Sequence, residues 1–279
     1  MQNHIVVDSG CDVDKSTIES ENCTITHIPL NMQIEDKVFL DDEKFDQDAY
    51  IAHMEASSVA VKTSAPSPNL FFEAFKKGDN IFGVTLSSKL SATYQSAITA
   101  RDMYLDEFEE KFIHVFDSLS ASVGEGVIAL KIAEFLKNGL SASDVVREVN
   151  QFIKGMNTYF ILDKFDNLVK TGRVKPYIAK VASLLNIKPI CGEEDGEIKM
   201  LDKTRGFEKA LTRLIRIIKE NTPDIESRII SITHVKALEK AQAMKDEMLK
   251  HFKPRDILIS DSRGITTTYA NKGGVVVAL

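Results

Sequence analysis

The sequence has no tryptophan, and its three cysteines, Cys11, Cys23 and Cys191, are odd in number and widely spaced. That spacing supplies neither a disulfide framework nor a zinc pattern. Six histidines are scattered without a His-x-x-x-His pair, so nothing recommends a metal site. No apolar run approaches the roughly 18 residues that a membrane-spanning helix needs, and no leader with a basic start and apolar core opens the chain. A cytoplasmic protein without stable membrane insertion is the expectation. Neither sign of charge dominates: 35 basic against 41 acidic residues give a formal charge of −6. Such a balance offers no general attraction to nucleic acid or to an anionic membrane. A P-loop and a G-x-S-x-G nucleophile elbow are missing as well. Gly124 and Gly126 follow a serine-rich loop rather than a tight turn, which is not a dinucleotide fingerprint. No cofactor is expected. What remains is a chain of 279 residues, 43% of them hydrophobic, long enough for a large core and two domains.

The most informative stretch runs from Thr63 to Ala97. Pro66 and Pro68 interrupt regular structure, and Ser67-Pro68 suits a helix cap followed by its first position. Leu70, Phe71, Ala74 and Phe75 then share one helical stripe, and Gly78-Asp79-Asn80 stops it. Ile81 to Leu86 has the length and composition of a buried strand. Ser87, Ser88, Ser91 and Thr93 follow where that strand ends and the next helix, Ile98 to Glu110 in its later part, begins. In open α/β sheets, ligands bind at loops leaving the carboxyl ends of strands. Hydroxyls and free N–H groups at such places suit a carboxylate or phosphate. Two loops of this kind, Thr63–Ser67 and Leu86–Thr93, lie one strand–helix unit apart.

Strand–loop–helix recurs before and after this stretch. His4–Val7 and Phe112–Phe116 read as strands ending in Asp8-Ser9 and Asp117-Ser118. Thr24–Leu30 is a further strand candidate, Asn31–Leu40 a pair of extended pieces around a turn, and Asp46–Ala56 a helix. Val127 to Leu136 forms a long helix ending at Asn138-Gly139, and Ser141–Asp144 has the shape of a capping box. This pattern predicts a parallel-sheet α/β domain over residues 1–150. The remainder, 151–279, mixes a charged hairpin turn at Glu193–Glu197 with strand–helix units. It predicts an α+β domain whose sheet is mixed and partly antiparallel. Phe165–Thr171 is expected to be a short helix stopped by Gly172.

Chemistry of turnover is poorly represented. Asp8, Ser9, Asp117 and Ser118 at adjacent strand ends leave open a small-molecule hydrolase or transferase, but the residue two positions after Asp8 is Gly10, not a second acid. The alternative for Asp8 is a hydrogen-bonding turn that holds neighbouring loops. His114 and His234 sit at strand interiors or ends and read as half-buried structural residues. Hydroxyl-rich loops beside abundant Phe, Leu and Ile suit an amphipathic ligand with an acid head and an apolar tail. Burial of each methylene contributes about 0.8 kcal/mol.

Several segments resemble the DegV family of two-domain bacterial proteins: Thr63–Ser67, Ser87–Ala97, Val6–Asp12, Ile28-Pro29-Leu30, Phe116-Asp117-Ser118 with Gly124-Glu125-Gly126, and Leu168–Arg173. The resemblance covers nearly the whole chain, in order. It implies non-catalytic binding of a long-chain fatty acid in a tunnel between the domains, and in some members presentation of that acid to a fatty acid kinase. Thr63, with Ser64 beside it, and Ser91 would hold the carboxylate, assisted by backbone N–H groups near Ala92. Arg173, of the pair Gly172-Arg173, would contact a kinase partner. The family's closing Gly-Thr-His segment is altered: Tyr269 stands at the histidine, which implies a phenol at the head group, with Lys272 as a candidate source of charge.

Overall fold

The computed structural model describes residues 2–108 and 111–279. Along the chain, β1 (Asn3–Asp8), the single-turn α1 (Lys15–Ile18) and β2 (Cys23–Ile28) are followed by the hairpin β3 (Asn31–Ile34) and β4 (Lys37–Leu40). Next come α2 (Gln47–Ala56), β5 (Lys62–Ser64), α3 (Pro68–Phe75), β6 (Asn80–Thr85), α4 (Thr93–Glu107), β7 (Phe112–Asp117) and α5 (Val123–Lys137). Helix α6 (Ala142–Gly155) leads into β8 (Thr158–Ile161), α7 (Asp166–Lys170), α8 (Pro176–Ala182), and the hairpin β9 (Ile187–Glu194) and β10 (Glu197–Arg205). The chain closes with α9 (Phe207–Asn221), β11 (Ile229–His234), α10 (Leu238–His251), β12 (Asp256–Asp261), α11 (Gly264–Ala270) and β13 (Val275–Ala278).

Strands β2-β1-β6-β7 form a four-stranded parallel sheet. Alternation along its strands sorts the side chains to two faces. Val6, Ile81, Ile113 and Val115 meet Phe71, Phe75, Ala97 and Ala100 of α3 and α4. Ile5, Val7, Phe82 and Val84 meet Val127, Ile128 and Ile132 of α5. That second cluster continues without a break through Val145 and Val149 of α6 to Phe160 and Val276 of the second sheet. The six-stranded sheet runs β10-β9-β8-β13-β11-β12, antiparallel except for the β11–β12 pair. Its outer face is covered by α9 and α10 through Leu211, Leu214, Ile218, Met244 and Met248. A two-part α/β fold with a parallel first sheet and a mixed, largely antiparallel second one is thus present.

Close approach of α5 to the first sheet depends on glycine. A Cβ on Gly126 would lie 1.9 Å from a Val13 methyl, and one on Gly124 would lie 2.1 Å from Ser120 Oγ. These glycines serve helix packing.

Some expectations need correction. Thr63 and Ser64 belong to a strand, β5, which joins β3 and β4 in a three-stranded antiparallel sheet. Leu70 is 42% exposed; α3 instead buries Phe71, Phe72, Ala74 and Phe75. Ser67 precedes Pro68 at the helix start but its side chain makes no capping bond, whereas Ser141 Oγ accepts the Asp144 N–H as a cap should. Helix α4 ends at Glu107, and the expected extension to Glu110 lies outside the described residues. The largest omission is α11. Its run Thr266-Thr267-Thr268 is β-branched and weakly helix-forming. Tertiary contacts impose the helix there: the Asp41 carboxylate accepts the N–H groups of Gly264 (2.8 Å) and Ile265 (2.9 Å). Tyr269 is therefore on a helix rather than in a terminal loop.

Candidate functional site

The carboxyl end of β6 is held by the acid at the end of β1. Asp8 is fully buried, with Oδ1 accepting the Gly10 N–H at 2.8 Å and Oδ2 accepting the Leu86 N–H at 2.8 Å. After Leu86 the backbone folds into a tight turn, Leu90 and Ser91 both donating to the Ser87 carbonyl (2.9 and 3.0 Å). Asp117 braces the same loop from the end of β7, accepting from Ser88 (3.0 Å) and Leu119 (3.2 Å). Ser9 and Ser118 are likewise occupied, Ser9 Oγ with the Leu30 N–H and Ser118 Oγ with the Ser120 backbone. The strand-end acids and serines of the hydrolase alternative hold loops in place, and none of them lines the cavity described below.

That arrangement presents Ser91 at the head of α4, its hydroxyl hydrogen-bonded with Thr93 Oγ1 at 2.8 Å and accepting the Thr93 N–H at 3.3 Å. Thr63 comes from the opposite side, on β5, where it stands across from Met32 of β3. Its hydroxyl meets the Tyr269 hydroxyl at 2.7 Å. Tyr269 is placed by the anchoring of α11. Beyond Asp41, the buried Asp12 accepts from the Arg263 backbone and from the hydroxyls of Thr266 and Ser122. Gln47 reaches the Ser262 carbonyl (2.9 Å) and Thr267 Oγ1 (2.8 Å), and Asn167 donates to the Thr268 carbonyl (2.8 Å).

Behind this network lies a buried acid cluster. Burial pushes Asp8 up to about 7 and Asp12 up to about 6, against the pull of their hydrogen-bond donors. Glu125 of α5, also fully buried, is pushed well above the usual carboxylate range by burial and then by Asp8 and Asp12.

Thr63, Ser91, Tyr269 and Arg173 line one cavity of about 870 Å³, part of it open to solvent. Its walls are mainly apolar, from Leu86 in the loop after β6 and from Phe160, Leu162, Leu168, Ile198 and Val276 of the second half of the chain. Arg173 is half-buried, with its guanidinium 5.6 Å from the centre of the Tyr269 ring. Ser64 and Ala92 are exposed and outside the lining; Ser64 Oγ accepts instead from Asn31 at 3.4 Å. Lys272 is exposed and also outside it, while His234 is buried beside Asp261 (3.5 Å), away from the cavity. Sequence reasoning missed Ser120, Ser122, Thr158, Glu193, Glu197 and Thr266, all in the lining. The loop Ser118–Ser122 follows a strand end as the Ser87 loop does, and the same rule applied there would have found its serines.

Among the described residues, no group of three His, Cys, Asp or Glu side chains is placed to hold a metal ion, and no helix is long and apolar enough to cross a membrane.

A family model described as an uncharacterised protein of the DegV family matches residues 2–279. The chain belongs to the DegV family. A DegV domain-containing protein of Streptococcus gordonii is 33% identical over 276 residues, covering 98% of this chain and 97% of its own. A crystal structure of a DegV protein from Ruminococcus gnavus, refined with vaccenic acid, matches with a TM-score of 0.94 at 35% identity over 99% of both chains. The Streptococcus pneumoniae fatty acid kinase B3 protein, loaded with linoleic acid, matches with a TM-score of 0.94 at 32% identity over 100% of this chain and 99% of its own.

Proposed function

We propose that this DegV protein binds one long-chain fatty acid and performs no chemistry on it. The carboxylate lies among Thr63, Ser91 and Tyr269, and the acyl chain runs along the apolar wall between the domains 1–150 and 151–279. The observation that carries this reading is one mainly apolar cavity whose lining includes the hydroxyl-bearing Thr63, Ser91 and Tyr269 from separate elements. Each buried methylene contributes about 0.8 kcal/mol, so the chain supplies most of the affinity and the hydroxyls set its direction. The acids loaded in the Ruminococcus and Streptococcus relatives support the choice of ligand. Relation to the pneumococcal protein supports a further step, presentation of the bound acid to a fatty acid kinase.

Denaturing mass spectrometry after organic extraction tests the binding. Recovery of about one molar equivalent of a C14–C18 acid is expected. Purified protein that emerges empty and takes up no labelled fatty acid contradicts it.

A further inference from the structure

We propose that the cavity carries a second polar patch, Ser120, Thr158 and Glu193, which selects an acyl chain bearing a hydroxyl over a plain one of equal length. This rests on the fatty-acid reading above and names a narrower ligand class for the same cavity, a long-chain hydroxy acid.

The patch interrupts an apolar wall. Alternate residues of β8 and the position after it, Thr158, Phe160 and Leu162, line the cavity, as one face of a strand does. Valine has nearly the shape of threonine and would continue that wall, yet a hydroxyl stands at its first position. The hydroxyl has a partner from the other half of the chain: Thr158 Oγ1 and Ser120 Oγ lie 2.7 Å apart, on residues 5% and 1% exposed. Ser120 belongs to the loop between β7 and α5 and lines the same cavity. Glu193 joins them from β9. Tyr159 pairs with Gly192 in antiparallel register, which sets Glu193 across from Thr158.

Each hydroxyl has one proton and two lone pairs. Their mutual bond, and the contact of Ser120 Oγ with the Ala121 carbonyl at 3.4 Å, use up protons and leave lone pairs over. Glu193 accepts the Gly196 N–H at 2.6 Å on one oxygen, and a carboxyl group has room for further donors. The patch is therefore rich in acceptors, and the group that answers it is a donor on the ligand. A methylene brings no donor and a carboxylate brings only acceptors, whereas a hydroxyl donates to one member and accepts from another. The Ser120 carbonyl accepts the Ser87 N–H (2.8 Å), and the Ser87 carbonyl accepts that of Ser91 (3.0 Å), so the patch adjoins the turn that carries Ser91. The favoured hydroxyl belongs to the half of the acyl chain nearer the carboxylate.

Direct binding of radiolabelled palmitate to the delipidated protein, and its displacement by palmitates hydroxylated at successive positions along the chain, tests this. Wild-type protein is expected to bind one isomer from the carboxyl half more tightly than palmitate and than the isomer hydroxylated at the far end. Thr158→Val and Ser120→Ala are each expected to weaken the favoured isomer about 3- to 10-fold and palmitate less than about twofold, while Thr158→Ser keeps the preference. Palmitate or the end-hydroxylated isomer bound tightest would overturn the proposal. Equal losses for palmitate and hydroxy acid in the variants would also overturn it, since the pair would then only tie the two halves together. A wild-type protein that binds neither palmitate nor any isomer overturns the fatty-acid reading, and this inference with it.

Discussion

The hydroxyls of Thr63 and Tyr269 lie 2.7 Å apart although 206 positions separate them in the chain. One is the middle residue of a short strand of the first half, and the other lies in the last turn of the last helix. Asp12 and Asp41, both from the first half, hold the start of α11 that carries the tyrosine. Whatever sits at this rim is gripped by both halves of the molecule at once.

Tyr269→His should therefore introduce a titration into fatty-acid affinity between about pH 5.5 and 8, with tighter binding on the acid side where the imidazole is charged. An alkyl sulfonate, ionised throughout, serves as the reference ligand. Tyr269→Phe should cost about 1.5–3 kcal/mol at every pH, the loss of one hydrogen bond to a charged group. Fluorescence titration at three pH values checks both. Wild-type affinity for Tyr269→Phe, with no added pH dependence in Tyr269→His, would place the residue outside the head-group site.

Thr63→Ala and Ser91→Ala should each weaken a fatty acid by about 1.5–3 kcal/mol and barely affect the matching alcohol. Ser91 also accepts the Thr93 N–H, so its loss should in addition lower the melting temperature slightly. Losses of equal size for acid and alcohol would mean that the hydroxyls organise the loops and do not contact the ligand.

How much of this was legible in the sequence follows from where each contact lies along the chain. The strands ending in Asp8 and Asp117, the Gly172 stop and the Ser141 cap are local patterns, and the chain reads correctly there. Helix α11 was not legible, because the groups that force Thr266-Thr267-Thr268 into a helix are Asp12 and Asp41, more than two hundred residues away. The strand that carries Thr63 is hidden in the sequence, since β5 is only three residues long and is defined by its pairing with β3. The place of Arg173 in the cavity lining depends on Leu90 and Tyr269, which no spacing in the sequence relates to it.

Gly172→Ala and Gly139→Ala form a matched pair. Both glycines have φ near +80° and nothing within 4 Å of an added Cβ, so each substitution introduces backbone strain alone. Each should cost about 1 kcal/mol, or about 2–4 °C in melting temperature. Only Gly172→Ala should also weaken palmitate, because it shifts Arg173, which lines the cavity. Equal palmitate affinity in the two variants would contradict that link.

The buried acids make stability depend on pH. In the unfolded chain Asp8 and Glu125 lose their protons near 3.8 and 4.5, whereas the fold holds Asp8 protonated to about 7 and raises Glu125 well above its unfolded value. The stability tied to these protons is complete below about pH 4 and is lost as pH rises through the folded values. His4 and His27 act oppositely, burial lowering them to about 4 and about 3. Glu125→Gln isolates the acid term. Its melting temperature relative to wild type should rise between pH 5 and pH 8. A difference that stays flat with pH would mean that Glu125 is ionised in the folded protein.

The most direct measurement is a crystal structure of the protein with palmitate. The account predicts carboxylate oxygens within about 3.2 Å of Thr63 Oγ1 and Ser91 Oγ, and the acyl chain along Phe160, Leu162 and Val276. A palmitate lying in the reverse direction, or bound away from this cavity, would contradict it.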